Sequence, residues 1–314
     1  MEFLQEEKKE INKVLFTGLD AAGKTSIILT LQREFSKIAV VEPTRGAQRR
    51  IFKLLGREIT EWDLGGQKQY RISYLKNPGK YFDNTETAIY VIDIQNTLRI
   101  PESISYLSDV IEQFKKLEVD PSINVFFHKC DPVLIKNSQE EIAKLINDLI
   151  KKINNIVNYK KIRFFITSIF DPSNIMRAMS EIMLEMYPKS QLIQKTVEEF
   201  AKKLKCEGLV IIDDSSLLIG TYYKNEEIEH ILSRAVSHFL TFNDNFQING
   251  LVRSDDQMLV QRYGKYFLFK QITLKDSVLP YYVLVLTDDN PFDLYFIKRE
   301  YSTFIRILKD MLDS

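Results

Sequence analysis

The stretch Gly18-Leu19-Asp20-Ala21-Ala22-Gly23-Lys24-Thr25 constrains this chain more than any other. It satisfies the spacing GxxxxGKT, with strand-like Asn12 to Thr17 before it and Lys24 to Phe35, of helical length and spacing, after it. Phosphate groups need this order, because wrapped backbone N–H groups and the positive end of a helix replace water around anionic oxygens. Gly18 and Gly23 permit a wrap that a side chain would obstruct. In that cradle Asp20, Ala21, Ala22 and Ser26 surround the phosphates, Lys24 reaches the β and γ groups, and the Thr25 hydroxyl holds Mg²⁺. A glycine-rich helix entry without a ligand is the bland alternative. The motif alone does not choose a base, and an ATPase would use the same loop.

Further strands are expected at Arg49–Leu55 and Glu58–Asp63, a hairpin around Gly56, and at Thr87–Asp93, Ile123–His128 and Ile162–Thr167. Helical segments fall at Ser103–Leu117, Gln139–Ile153 and Ile175–Met186. This alternation predicts an α/β unit, a mostly parallel sheet covered by helices on both faces. Tyr187 and Pro188 close the pattern, because proline cannot continue the helix, and the domain boundary is placed there, giving 1–188 and 189–314. The second part predicts a helix at Leu192–Leu204, strands at Gly208–Asp213 and Ser216–Tyr222, and a helix at Ile228–Phe242. Strands at Phe246–Val252, Gln257–Gln261, Tyr266–Ile272 and Tyr281–Leu286 and a last helix at Pro291–Met311 complete it. This is an α+β unit around an antiparallel sheet.

Two more segments belong at the carboxyl edge of the parallel sheet, where such folds bind ligands. Trp62-Asp63-Leu64-Gly65-Gly66-Gln67 ends a strand. There Asp63 would hold Mg²⁺, the Gly66 N–H would face a γ phosphate, and Gln67 would orient an attacking water. Read alone, this string also suits a strand-ending turn. Thr44, in a loop between helix and hairpin, would complete the metal shell, or is a solvated loop threonine; Arg45, Arg49 and Arg50 are read first as surface arginines. His128-Lys129-Cys130-Asp131 follows the Ile123 strand. Asp131 can accept from guanine's ring N–H and exocyclic amine, whereas adenine presents an acceptor at the former position and no amine at the latter. The Lys129 stem packs along the base, and backbone N–H groups from Thr167, Ser168 and Ile169 face the guanine carbonyl.

The 43 Lys+Arg and 43 Asp+Glu cancel, so no net field draws the chain to nucleic acid or an anionic bilayer. Two cysteines, Cys130 and Cys206, are too few for a disulfide framework and fit a reducing cytoplasmic setting. Met1 to Lys13 is charged, Glu2 replaces an acceptor glycine, and the ending Met311-Leu312-Asp313-Ser314 has no prenylation site, so no direct membrane anchor is expected.

Taken together, these residues resemble the Ras superfamily of small GTPases. GLDAAGKTS and WDLGGQ look like the Arf branch, whereas HKCD, the stretch Thr167-Ser168-Ile169-Phe170-Asp171 and the second domain resemble the Rag/Gtr GTPases. The resemblance implies a P-loop small-GTPase domain with a six-stranded sheet, then a roadblock/longin-like domain. It also implies GTP/GDP and Mg²⁺ as ligands, slow GTP hydrolysis stimulated by a GTPase-activating protein, and a homo- or heterodimer formed through the C-terminal domain. Recruitment to membranes would come from roadblock-type scaffolds. His128 stands where the superfamily usually has asparagine, whose amide ties the base site to the phosphate loop. A nucleotide-stabilised scaffold and an Arf-like trafficking GTPase are the alternative readings.

Overall fold

The computed structural model describes residues 12–54, 57–250, 257–272, 280–288 and 295–312. By its internal contacts the chain divides into two compact units, one built from the residues up to Thr30 and Glu34–Pro172, the other from Leu31–Arg33 and residue 173 onward. The break read at Pro188 falls one helix later.

In the first unit, β1 (Asn12–Gly18) leads into α1 (Lys24–Leu31), followed by the short α2 (Phe35–Ile38). The hairpin β2 (Ala47–Leu54) and β3 (Arg57–Leu64) precedes α3 (Lys68–Lys76) and α4 (Pro78–Tyr81). Then come β4 (Thr85–Asp93), α5 (Ile100–Lys116), β5 (Ser122–His128), α6 (Pro132–Asn137), α7 (Gln139–Val157) and β6 (Ile162–Ile166). The six strands order as β2-β3-β1-β4-β5-β6. Only β2 runs antiparallel to its neighbour; β3, β1, β4, β5 and β6 are parallel. Every residue of β1 is buried, as a strand covered on both faces requires.

Helix α5 buries Ile100, Ile104, Leu107, Val110, Ile111 and Phe114, and α7 buries Ile142, Ile146, Leu149, Ile153 and Val157, each a stripe at helical spacing. Both stripes join Leu15, Tyr90, Val125 and Phe127 in one core. Fully buried Leu107 and Ile153 each contribute roughly 1.5–3 kcal/mol by leaving water. That core holds still the strand ends from which the site loops depart.

The second unit holds α8 (Pro172–Glu185), α9 (Ser190–Leu204), β7 (Gly208–Asp213), β8 (Leu218–Tyr223), α10 (Glu226–Ile248), β9 (Gln257–Arg262), β10 (Lys265–Ile272), β11 (Tyr281–Thr287) and α11 (Tyr295–Leu312). Its sheet, ordered β8-β7-β11-β10-β9, is antiparallel throughout. Ile228, Leu232, Val236 and Leu240 of α10 pack on Val210, Ile212 and Leu284. On α9, Gln194 bonds both the N–H and the carbonyl of Thr221, and Phe200 stacks on Phe304 of α11 at 3.9 Å. Among the described residues no helix is long and apolar enough to cross a membrane.

Several elements differ from their sequence expectations. Helix α1 stops at Leu31, and Arg33 takes a left-handed φ of +57° that a continuing helix forbids. The strand expected at Phe246–Val252 is absent where it can be seen: Phe246 to Ile248 are the last turn of α10, while 251–252 lie outside the described residues. No proline or glycine interrupts that helix before Gly250, and Phe242 meets Phe246 edge-on at 4.9 Å, an i,i+4 pair that favours helix. Strand β8 starts at Leu218 because Ser216 has a φ of +68°. The turn at Gly56 and residues 291–294 of the last expected helix lie outside the described residues.

Candidate functional site

The phosphate loop leaves β1 with backbone angles that demand small residues. Gly18 has a φ of +137°, and a Cβ there would lie 2.5 Å from the Val91 carbonyl of β4. Gly23 has a φ of +100°, and its Cβ would lie 2.5 Å from His128 Cδ2. The loop is thus pressed onto the ends of β4 and β5. Ala21, at φ +57°, forms the exposed turn, while Ala22 is buried. Lys24 folds back over the loop, donating to the carbonyls of Gly18 at 3.2 Å and Leu19 at 2.8 Å. Burial lowers its pKa to about 8, partly opposed by Asp63 and Asp20. A phosphate beside this ammonium would favour the charged form and reverse the shift.

The expected metal-holding residues meet. Thr25 donates its hydroxyl to Asp63 Oδ2 at 2.6 Å, Thr44 Oγ1 lies 2.8 Å from Thr25 Oγ1, and Thr44 reaches the same carboxylate oxygen at 3.2 Å. The other oxygen, Asp63 Oδ1, is buried without a partner. Two hydroxyls and one carboxylate form a hard, all-oxygen donor set, which suits Mg²⁺ and not a thiolate- or imidazole-seeking metal.

Gly65 and Gly66 bring the end of β3 across this cluster. The Gly65 N–H bonds the Gly46 carbonyl at 2.8 Å, and a Cβ on Gly66 would lie 2.1 Å from Asp20 N. Gln67, at the N-cap of α3, is half-buried. A cavity of about 300 Å³ opens here, its wall including Lys24, Thr25, Ser26, Thr44, Gly66, Gln67 and Lys129. The arginines of β2 point elsewhere: Arg50 pairs with Glu61 at 2.8 Å, and Arg49 lies over the Trp62 ring at 5.9 Å. Arg45 is exposed.

On the base side, Asp131 Oδ1 accepts from Ser168 Oγ at 2.5 Å and Oδ2 from Gln95 Nε2 at 3.0 Å. Each carboxylate oxygen keeps a further lone pair, so the two bonds orient Asp131 without exhausting it. Gln95 also bonds the Lys129 carbonyl at 2.7 Å, and Lys129 Nζ meets Asp93 Oδ2 at 2.7 Å. The Thr167 N–H, expected to face the guanine carbonyl, instead donates to the Phe127 carbonyl at 3.0 Å, because the β5–β6 pairing continues to this residue; the Cys130 N–H bonds the Thr167 carbonyl at 3.1 Å, and Ile169 lies half-buried in the turn from Ser168 to Asp171.

His128 is placed differently from a ligand-touching residue. It is 1% exposed behind Gly23, with Nδ1 2.9 Å from Thr167 Oγ1. Burial, reinforced by the Lys129 charge, drives its pKa down to about 4, so the ring is neutral near pH 7. Sequence reasoning missed Gln95, Asp93, Arg99 and Arg71. The first two could have been found, since β4 lies beside β5 and residues ending β4 must neighbour the His128 segment.

The family model for the Gtr1/RagA G protein conserved region matches residues 13–240. The ADP-ribosylation factor-like protein alp41 of Schizosaccharomyces pombe is 39% identical over 143 residues, 46% of this chain and 72% of that protein. The ADP-ribosylation factor-like protein 3 of Chlamydomonas reinhardtii is 37% identical over 121 residues, 38% of this chain and 64% of that protein. A solved structure, the Arl6 BBS3 small GTPase from Trypanosoma brucei with bound nucleotide analogue GppNp, matches at 20% identity and a TM-score of 0.44, covering 55% of this chain and 95% of that one. The matched region takes in the phosphate loop, the Asp63–Gln67 segment and the Asp131 segment, and the chain belongs to the Gtr1/RagA family of G proteins, Ras-superfamily small GTPases that hydrolyse GTP.

Proposed function

We propose that this GTPase is a Mg²⁺-dependent switch whose loops around Thr44 and Gln67 are ordered by the γ phosphate and released on hydrolysis. The observation that carries the reading is the convergence of Thr25 and Thr44 on the Asp63 carboxylate, with Thr25, Thr44 and Gln67 all lining one cavity. In it the backbone of Gly18, Asp20, Ala21, Ala22 and Gly23 wraps the phosphates, with Ser26 at the helix entry. Lys24 pairs with the β and γ oxygens, Gly66 offers its N–H to the γ phosphate, and Gln67 orients the attacking water. Mg²⁺, when bound through Thr25, Thr44 and Asp63, neutralises charge between the β and γ phosphates. Asp131 selects guanine, Lys129 covers the base, Ser168 and Ile169 present backbone N–H groups to its carbonyl, Thr167 anchors that segment to β5 by donating its own N–H to the Phe127 carbonyl, and His128 supports the loop from behind.

Intrinsic hydrolysis is slow on this reading, because among the described residues no arginine lines the cavity; a GTPase-activating partner supplies the missing charge. Single-turnover GTP hydrolysis by wild type and Gln67→Leu tests the mechanism. A loss of about tenfold or more is expected, and equal rates would remove Gln67 from it.

The unit that ends at Pro172 is the nucleotide-binding domain, and the unit from residue 173 onward acts as a roadblock-like domain that dimerises, with itself or a related GTPase, and docks on a roadblock-type scaffold that brings a cytoplasmic protein to a membrane. The family match running to residue 240, into the second unit, supports treating both parts as one signalling molecule. Light scattering of the GDP-bound full chain, alone and with a related GTPase, tests this: a doubled mass in either arm is expected, and a monomer in both contradicts it.

A further inference from the structure

A chain of charged side chains joins the phosphate loop to the Gly66 peptide. Arg99 closes a 3₁₀ turn (Thr97–Arg99) just before α5, and its Nη2 lies 2.8 Å from Asp20 Oδ1 while Nη1 leans on the Asp20 carbonyl at 3.4 Å. The same guanidinium donates from Nε to Glu102 Oε2 at 3.1 Å. Glu102 Oε1 accepts from Arg71 Nη2, and Arg71 Nε donates to the Gly66 carbonyl at 2.9 Å.

Each member needs its neighbour. Arg71 is 8% exposed and lies over the Tyr106 ring at 5.0 Å, so its charge would be costly without Glu102. Glu102 spends both carboxylate oxygens on two arginines, and two acids facing two bases leave no net charge. Arg99 and Glu102 are partly open to water, so these ion pairs add little stability; what they determine is geometry.

That geometry acts on one peptide. In a trans peptide the N–H points opposite to the carbonyl, so holding the Gly66 carbonyl on Arg71 also sets the direction of the Gln67 N–H. Gly66 cannot drift toward the loop either, because it already touches the Leu19–Asp20 peptide. Gln67 then starts α3 from a fixed position on the cavity wall.

We propose that Arg99, Glu102 and Arg71 form a latch that orients the Gly66–Gln67 peptide, and through it the Gln67 side chain, against the phosphate loop. They are positioning residues, and the proposal rests on the reading of Gln67 as the water-orienting group. A lysine at 71 keeps the charge but lacks the planar fork that serves Gly66 and Glu102 together, so Arg71→Lys does not restore the latch.

Single-turnover GTP hydrolysis by the full chain, with mant-GDP affinity and melting temperature measured on each variant, tests the latch. Glu102→Gln and Arg71→Lys each slow hydrolysis about tenfold while mant-GDP affinity stays within about threefold, because misplacing a water-orienting group affects the reaction and not ground-state binding. In a Gln67→Leu background, Glu102→Gln causes no further slowing. Wild-type rates in Glu102→Gln and Arg71→Lys, with Gln67→Leu slow, overturn the latch alone. Equal slowing by Glu102→Gln in both backgrounds also overturns it, by showing an action that bypasses Gln67. If Gln67→Leu itself hydrolyses at the wild-type rate, the reading of Gln67 fails instead. Should Glu102→Gln not fold, Arg99→Ala, at a part-exposed position, weakens the same carboxylate and is expected to slow hydrolysis about threefold; no slowing there counts against the latch.

Discussion

His128 shows how one substitution changes the chemistry of a shared site. An imidazole occupies the space between Thr167 and the Gly23 turn, bonded to Thr167 Oγ1 at 2.9 Å and packed where any Cβ on Gly23 would collide with it. It supports the loop by contact and stays neutral to do so. Its ordinary pKa of 6.5 falls to about 4 on folding, chiefly because burial disfavours the charged ring. The unfolded chain therefore binds the extra proton first. The stabilising effect of the neutral ring is complete above about pH 6.5 and is lost as pH falls toward 4, a difference of roughly 3 kcal/mol. Thermal unfolding of the GDP complex from pH 7 to 4.5 is expected to show a shallower decline for His128→Asn than for wild type. Parallel declines would mean that His128 titrates normally. Residues carrying the motifs, from Gly18 to Thr25, Asp63, Gln67 and Asp131, were legible because their spacing is itself the signal. Arg99, Gln95 and Arg71 were not, because isolated polar residues become partners only when separate strand ends and helices meet.

At the scale of elements, the parallel strands were legible to within a few residues, since apolar runs bounded by glycine or aspartate leave little choice. Helices were harder at their ends. Helix α1 stops at Leu31 although Arg33 and Phe35 keep helical composition, and the left-handed turn at Arg33 is a backbone event with no residue signature, arginine being an uncommon choice there. Helix α10 runs on to Ile248 where Phe246 and Ile248 suggested a strand; aromatic and β-branched residues favour strands only when a sheet is there to receive them. Both are exposed at the end of the helix, Ile248 at 82%. Helix α3 escaped notice because its nine residues are mostly polar, and its start depends on the backbone that Gly66 and Gln67 present.

For the whole molecule, the division into an α/β unit and an antiparallel α+β unit followed from the change in pattern, but the place of the boundary did not. Helix α8 completes the βα alternation in sequence, yet its buried Ile175, Met179 and Ile182 belong with the second unit by contact, and Ser180 Oγ accepts the Leu218 N–H at 2.7 Å. Proline marks where a helix must end; it does not say which core the helix joins. On the proposed reading, the phosphate-binding loop and the switch residues line one cavity together with Lys129, and Asp131, two residues beyond Lys129, selects guanine. Competition binding of GTP and XTP to wild type and Asp131→Asn tests this reading most directly. Wild type is expected to prefer GTP, and Asp131→Asn to prefer XTP, because the amide donates to the xanthine carbonyl where the carboxylate accepted from the guanine amine; losing a bond to a charged group costs about 1.5–3 kcal/mol, so the GTP-to-XTP ratio shifts at least about tenfold. An Asp131→Asn protein that keeps the wild-type preference for GTP would contradict the account.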